Sequence, residues 1–282
     1  MTKKINMLCA YPYMTSNMQK TLQSHDETTR LVVDSGAFTA WKAGKPIALD
    51  DYCRFLESLP KMPWKYFMLD KIGDPEGTLR NYELMLKRGF KPIPIFTRGE
   101  DSSVIEDFYK TSDIVGIGGL VQTRKNKGFV NGIMKKIGQR KCHWLGFTND
   151  AFVLHYRPYM CDSSTFDGPL RFGVLKLYQG RGKSITVGKK DFMARPLVKI
   201  CELIRSYGED PKELAKAVNW VNTGTNKSTL ERLTYKSAMW KNREIEKKTG
   251  SKIFFAITSS WKVTALNWAD AWLKKHQPSL YH

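Results

Sequence analysis

Residues 66–88 read YFMLDKIGDPEGTLRNYELMLKR and contain one complete strand-and-helix unit. Four apolar residues come first and end at Asp70, which is typical of a short buried strand. After a Gly-Asp-Pro turn, apolar side chains recur at the three- to four-residue spacing of an amphipathic helix, at Leu79, Tyr82, Met85 and Leu86. The stretch therefore predicts a β-strand followed by an α-helix that packs back against the sheet.

The same unit recurs through roughly the first 165 residues. Five further apolar runs each lead into a polar residue or a glycine: 31–33, 92–96, 114–117, 143–147 and 158–161. Six such cycles predict an α/β fold with a parallel sheet and, at this chain length, a (β/α)8 TIM barrel or a version of one with altered final units. In such barrels the carboxyl ends of the strands carry the chemistry. We therefore expect Asp34, Asp70 and Asp162 to share one mouth.

The second half of the chain has a different pattern. Residues 171–190 predict a β-hairpin or a long basic loop, and 253–258 predict a late strand. Helical patterns cover 192–207, 210–221, 226–248 and 260–275. We expect a single domain over 1–282, with 171–282 forming a basic insertion and a mainly helical C-terminal elaboration of the barrel.

Positive charge is concentrated in this second half. The net charge is +19, of which +1 falls in residues 1–120, +11 in 121–190 and +7 in 191–282. Concentrated cations favour a polyanionic partner because each neutralised phosphate releases a counterion. A solvated basic surface is the alternative explanation. The candidate nucleic-acid contacts are Arg124, Lys125, Lys127, Arg181 and Lys183.

Other classes of site and location are disfavoured. The five cysteines are widely scattered without a CxxC pair, so neither a disulfide framework nor a structural zinc site is predicted. We expect no metal and no cofactor, since Walker and GxGxxG signatures are also missing. No run of about 18 apolar residues predicts a membrane span. The chain is expected in the cytoplasm, or in the host cytoplasm if it is viral.

The three aspartates allow several chemistries. Any single Asp before a turn is often only a helix cap or an Asx-turn. At the ends of different strands, however, they offer a nucleophile, a general acid or base and an acceptor for the edge of a base. Two carboxylates around an anomeric carbon are the apparatus of glycosidic chemistry.

Five segments, in order, resemble motifs of the tRNA-guanine transglycosylase superfamily. Val33–Phe38, VDSGAF, resembles the family's Asp-Ser-Gly-Gly-Phe motif, and Cys161–Ser164, CDSS, falls where its nucleophile is expected. The other three segments are LDKIGDP at 69–75, GIGGL at 116–120 and HWLG at 143–146. The chain is most similar to the DNA 7-deazaguanine transglycosylases of phages and bacteria, and the resemblance covers residues 5 to 167.

The resemblance implies a role for each matching residue. Asp162 would be the nucleophile, Asp34 the general acid and base, and Asp70 the acceptor for the N–H groups of the purine. The other implied base-binding residues are Ser35, Phe38, Gly118, Gly119 and Leu120. Tyr11 and Trp144 are further candidates for receiving an extruded base.

The chain also departs from the tRNA enzymes. It lacks their zinc ligands, and residues 96–98 stand where those enzymes have a Gln on the fourth strand. The expected activity is exchange of guanine in DNA for a 7-deazaguanine base, such as 7-cyano-7-deazaguanine, after base flipping. A tRNA substrate, a non-catalytic nucleic-acid-binding barrel and a sugar hydrolase or DNA glycosylase remain open alternatives.

Overall fold

A computed structural model of the protein describes residues 3–120 and 127–282. The predicted nucleic-acid contacts Arg124 and Lys125 therefore lie outside the described residues. Within the described ranges no helix is long and apolar enough to cross a membrane.

Eight parallel strands form the main sheet of this α/β fold. They are β1 (Ile5–Ala10), β2 (Thr29–Asp34), β3 (Lys65–Tyr66), β4 (Ile95–Thr97), β5 (Ile114–Gly118), β6 (Lys141–Trp144), β7 (Met160–Ser163) and β10 (Lys252–Ile257), and their order is β3-β2-β1-β10-β7-β6-β5-β4. A parallel bridge between Phe67 and Ile93 joins the two end strands, since Met68 N donates to Ile93 O at 3.0 Å. The curled sheet is compatible with a TIM-like barrel.

Helices follow most of these strands. They are α1 (Ser16–Ser24), α2 (Ala37–Lys42), α3 (Leu49–Ser58), α4 (Pro75–Lys87), α5 (Val104–Thr111), α6 (Lys127–Ile137), α7 (Asp150–Tyr156), α8 (Gly168–Phe172), α9 (Lys189–Ala194), α10 (Val198–Ser206), α11 (Thr229–Thr249) and α12 (Ser260–His276). Strands covered on both faces have continuous apolar runs rather than alternating ones. The runs in the sequence show this, and the side chains of Ile5, Met7 and Cys9 are buried in β1.

Aromatic rings fill the interior of the curled sheet. Phe67 contacts His143 with ring centroids 4.9 Å apart, although their strands are not neighbours. His143 in turn lies 6.1 Å from Phe254, which stacks on Trp64 at 6.2 Å near the amino end of β3. The interior of the curled sheet is therefore a packed core.

The chain between β7 and β10 forms a separate layer. Residues 171–190 include an antiparallel hairpin of β8 (Val174–Tyr178) and β9 (Ser184–Gly188), as one of the two sequence interpretations predicted. Helix α11 packs on this hairpin and on α12. Because β10 pairs with both β1 and β7, residues 252–276 supply the eighth strand of the sheet and its helix.

Two helical predictions in this layer were wrong. The pattern over 192–207 predicted one helix, but the chain breaks between α9 and α10 at Arg195–Leu197. Pro196 has no N–H to continue a helical ladder, which explains the break. The segment 210–221 forms two short 3-10 turns instead of an α-helix, the first of them beginning at Pro211.

A buried ion cluster connects α11 to the start of β1. Arg243 donates to Asp270 Oδ1 at 2.9 Å and to Glu246 Oε2 at 3.0 Å, and it also donates to the backbone carbonyl of Lys4. Asn6 on β1 donates to Glu246 Oε1 at 2.7 Å. Every strong donor of the guanidinium thus has an acceptor, which offsets the cost of burying the charge.

We expect Arg243→Ala to lower the free energy of unfolding by about 3–5 kcal/mol, because it removes the buried cation that lies between the buried carboxylates of Glu246 and Asp270. Lys248→Ala is the matched control, since Lys248 pairs with Glu244 on the surface of the same helix. The Lys248→Ala substitution should lower the free energy of unfolding by less than about 1 kcal/mol. Urea unfolding of both variants measures the difference, and equal losses would show that the cluster does not stabilise the fold.

Candidate functional site

Three carboxylates lie where the carboxyl ends of the parallel strands meet, an end of the sheet that we call the mouth. Asp34 is the last residue of β2, Asp162 lies in β7, and Asp70 follows the Phe67–Ile93 bridge at the end of β3. The carboxylates of Asp70 and Asp162 both act electrostatically on Asp34. The mouth therefore brings together the three aspartates that the sequence predicted would share it.

The surroundings of Asp34 raise its pKa toward neutrality. Burial, with the Asp70 carboxylate as the next cause, raises the pKa of Asp34 to about 7. The N–H of Gly36 opposes this shift by donating to Asp34 Oδ2 at 2.9 Å. A carboxyl group with a pKa near neutrality can both give and take a proton at physiological pH.

The turn after Asp34 requires glycine. Gly36 has φ +77°, and a Cβ on it would come within 2.3 Å of Pro12 Cδ. The left-handed conformation and the lack of space both exclude a side chain. This turn points the Gly36 N–H back at Asp34 and begins α2.

Asp70 is connected to Asp34 through Ser35. The wholly buried Ser35 donates its hydroxyl to Asp70 Oδ1 at 3.1 Å, and burial raises the pKa of Asp70. Asn81 on α4 donates to the carbonyl of Leu69 at 3.0 Å, which fixes the backbone before Asp70. Ser35 therefore positions Asp70 in this structure, a role that the sequence did not indicate.

Asp162 is buried and is held from one side. His143 Nε2 lies 2.8 Å from Asp162 Oδ1, and the N–H of Gly146 donates to the same oxygen at 3.0 Å. His143 is wholly buried, and nothing in the described residues hydrogen-bonds its Nδ1. The tautomer that matches these contacts carries its proton on Nε2 and donates to Asp162. Both contacts fall on Oδ1, so Oδ2 is the oxygen available to a ligand.

The predicted glycine turn lies at the carboxyl end of β5. Gly119 has φ +74°, and a Cβ there would lie 2.7 Å from Arg98 Cβ. A Cβ on Gly118 would lie 3.1 Å from Thr97 Oγ1, while Leu120 is buried. Glycine is thus required by close packing against the end of β4, and it also keeps this backbone bare of side chains.

Glu100 is a fourth carboxylate that sequence reasoning missed. Its Oε2 accepts the N–H of Thr97 at 2.9 Å, and burial, with a smaller contribution from Asp70, raises the pKa of Glu100. The only sequence signal was its place just after the fourth strand, where residues 96–98 differ from the tRNA enzymes. It adds an acidic acceptor on the Asp70 side of the mouth.

The aromatic candidates occupy different environments. Phe38 is 55% exposed on α2, four residues beyond Asp34. Trp144 is fully buried and packs against Phe147 and Tyr156, so this candidate for receiving a base was wrong. Tyr11 packs on Phe55 with ring centroids 4.6 Å apart, at the carboxyl end of β1.

The remaining basic candidates are exposed. Lys127 is at the start of α6, while Arg181 and Lys183 lie in the turn between β8 and β9. A cavity of about 470 Å³ lies between α11, the hairpin and the end of β7, and Ser163, Lys176 and Lys241 are among its lining residues. Among the residues described, no group of three His, Cys, Asp or Glu side chains is arranged to hold a metal.

No protein-family model, curated protein or solved structure matches this chain.

The raised pKa of Asp34 has a consequence for stability. The pKa of an aspartate in the unfolded chain is about 3.9. Between that pH and about 7, the folded protein therefore holds a proton on Asp34 that the unfolded chain has released. The free energy of unfolding should fall as pH rises through this window. Asp34→Asn removes the effect, and its stability relative to the unmodified protein should be greater at pH 8 than at pH 5.

Urea unfolding at the two pH values tests this. Asp74→Asn is the control, because the Gly77 N–H lowers the pKa of Asp74 and places its titration below the window. The stability of that variant relative to the unmodified protein should not change between pH 5 and pH 8. An equally flat result for Asp34→Asn would mean that Asp34 is ionised throughout.

Proposed function

We propose that the protein is a base-exchanging transglycosylase that replaces guanine in a nucleic acid, with DNA as the favoured substrate. The proposal rests on one observation: Asp34 and Asp162 face one mouth and have different surroundings. Asp34 is poised to exchange a proton near neutral pH, whereas Asp162 is oriented by two hydrogen bonds to one oxygen. Transfer of a glycosyl group through a covalent intermediate needs these two different carboxyl groups.

The first half-reaction breaks the glycosidic bond. Asp162 Oδ2 attacks C1′ of the target nucleoside, a C1′–O bond forms, and the C1′–N9 bond breaks. The electron pair of the broken bond passes to the guanine, and protonated Asp34 supplies the proton that the departing base takes up. His143 and Gly146 keep the Asp162 carboxylate oriented for the attack.

The second half-reaction reverses these roles. The incoming base loses a proton to the Asp34 carboxylate and attacks C1′, while the ester to Asp162 breaks and the carboxylate leaves. The C1′–O ester bond retains the free energy of the broken glycosidic bond, so a nucleoside triphosphate is not needed. One carboxyl group serves as acid and then as base, and a pKa of about 7 suits both steps.

Base selection falls to the Asp70 side of the mouth. The Asp70 carboxylate, positioned by Ser35, would accept N–H groups from the purine edge. The Gly118–Gly119–Leu120 backbone and the Phe38 ring would contact the carbonyl oxygen and the face of the base. A guanine or a 7-deazaguanine, such as 7-cyano-7-deazaguanine, offers these donors and this oxygen.

The polyanionic substrate accounts for the charge distribution. Most of the net positive charge of the chain falls after residue 120. This part of the chain includes α6, the hairpin and α11. The sequence likeness to the phage and bacterial DNA enzymes favours DNA over tRNA. A non-catalytic binding barrel gives no use for carboxylates crowded at one mouth, because they repel phosphate, and the Asp70 and Asp162 carboxylates contribute to the raised pKa of Asp34.

The proposed nucleophile can be tested by substitution. Asp162→Asn should lower base exchange by on the order of 10³-fold or more and abolish the covalent protein–nucleic acid adduct. Asp113→Asn is the control, since Asp113 is exposed just before β5 at the opposite end of the sheet. Normal exchange by Asp162→Asn would remove this residue from the reaction.

The substrate is identified by incubating the protein with guanine-labelled DNA or tRNA and candidate 7-deazaguanine bases, followed by nucleoside mass analysis. Incorporation into DNA supports the proposal as stated, and incorporation only into tRNA would overturn the choice of DNA. Release of guanine without incorporation would identify a glycosylase instead.

A further inference from the structure

Trp41 is an exposed aromatic residue beside the mouth. It is 54% exposed on α2, and its ring stacks against that of Phe38, with centroids 6.1 Å apart and planes at 27°. Single exposed apolar residues are common on protein surfaces. Two large rings that turn toward solvent next to each other at the mouth require a further explanation.

The spacing of buried residues in α2 shows which face of this helix packs on the protein. Ala37 and Ala40 are buried, so the face of the helix that carries them packs on the protein. Phe38 and Trp41 are each one position further along and three residues apart, which places both on the outer face. Since α2 begins directly after Gly36, whose N–H contacts Asp34, this outer face borders the mouth.

The surroundings of Trp41 are basic. Lys42 Nζ lies 4.4 Å from the centroid of the Phe38 ring, and Lys45 is exposed three residues later. The segment 35–49 contains no acidic residue. An exposed flat ring with lysines on the same segment suits a ligand that has both a planar face and a negative charge, which is the chemistry of a nucleotide.

We propose that Trp41 stacks on the base next to the target nucleoside and that the substrate is therefore bound as an unpaired strand. This inference rests on the proposed function, in which Phe38 contacts the target base at the mouth. Because the two centroids are 6.1 Å apart, the rings can contact two different bases, one extruded and one neighbouring. Lys42 and Lys45 are placed to contact the phosphates of the same strand.

Other occupants fit this surface less well. A second copy of the chain would need roughly 800 Å² per partner for a stable interface, far more than two rings present. A base paired in a duplex is stacked on both faces and offers none to Trp41. An unpaired strand offers a free face at each base, and stacking on an aromatic ring is tolerant of sequence.

The test uses a short single-stranded DNA with one guanine and the fluorescent base 2-aminopurine on either side of it. The unmodified protein should quench 2-aminopurine at one of the two positions and bind this strand more tightly than its duplex. Trp41→Ala should abolish the quenching and weaken binding roughly 5- to 100-fold, the range measured for loss of one stacked base. Trp41→Phe should retain most of both effects.

Leu84→Ala is the matched control, because Leu84 is a comparably exposed apolar residue on α4. It should leave the quenching and the affinity unchanged. Since Trp41 is exposed, thermal unfolding of its variants should match that of the unmodified protein. Unchanged quenching and affinity in Trp41→Ala, or equal affinity for strand and duplex, would overturn the proposal.

Asp162→Asn separates this inference from the proposed function. That variant should still bind the strand and quench 2-aminopurine, since stacking does not require the nucleophile. If base exchange is never found but the quenching depends on Trp41, the strand-binding site stands and the transglycosylase fails. If exchange occurs and Trp41→Ala binds normally, the reverse is true.

Discussion

Curling of one parallel sheet is the constraint on which the rest of the structure depends. All eight strands run in the same direction, and the Phe67–Ile93 bridge joins the two ends of the sheet. Every carboxyl end must then meet at the same mouth, whatever the distance along the chain. Asp34 and Asp162 come together for this reason, and their mutual repulsion is a direct result of the fold.

The carboxylates of Asp34 and Asp162 have different surroundings. Asp34 stays near the point of half-protonation because burial and Asp70 oppose its charge, while the Gly36 N–H supports it. Asp162 has two donors on one oxygen, and His143 is itself fixed between Phe67 and Phe254. Pairs of titratable groups whose environments differ in this way are the usual mark of acid–base and nucleophile roles. The proposed chemistry follows from that difference more than from any single residue.

The layer between β7 and β10 is attached to the sheet by buried polar contacts. It carries much of the positive charge, and the buried Arg243 cluster connects its long helix α11 to β1 and α12. The hairpin is attached in a similar way, since Tyr207 donates its hydroxyl to the carbonyl of Tyr178 at 2.6 Å. Residues of the hairpin and of α11 thus lie around one cavity with Ser163 at the end of β7.

The sequence by itself determined the type of most elements, the ends of the strands and the three aspartates, because each depends on local periodicity and on the residue that follows an apolar run. It missed β1, whose polar Asn6 pairs with Glu246, and it predicted helices across Pro196 and Pro211. Only the tertiary structure decided that His143 orients Asp162, that Ser35 positions Asp70 and that Glu100 lies near the mouth. Those contacts join strands and loops far apart in the chain, and no local pattern encodes which side chains meet when the sheet curls.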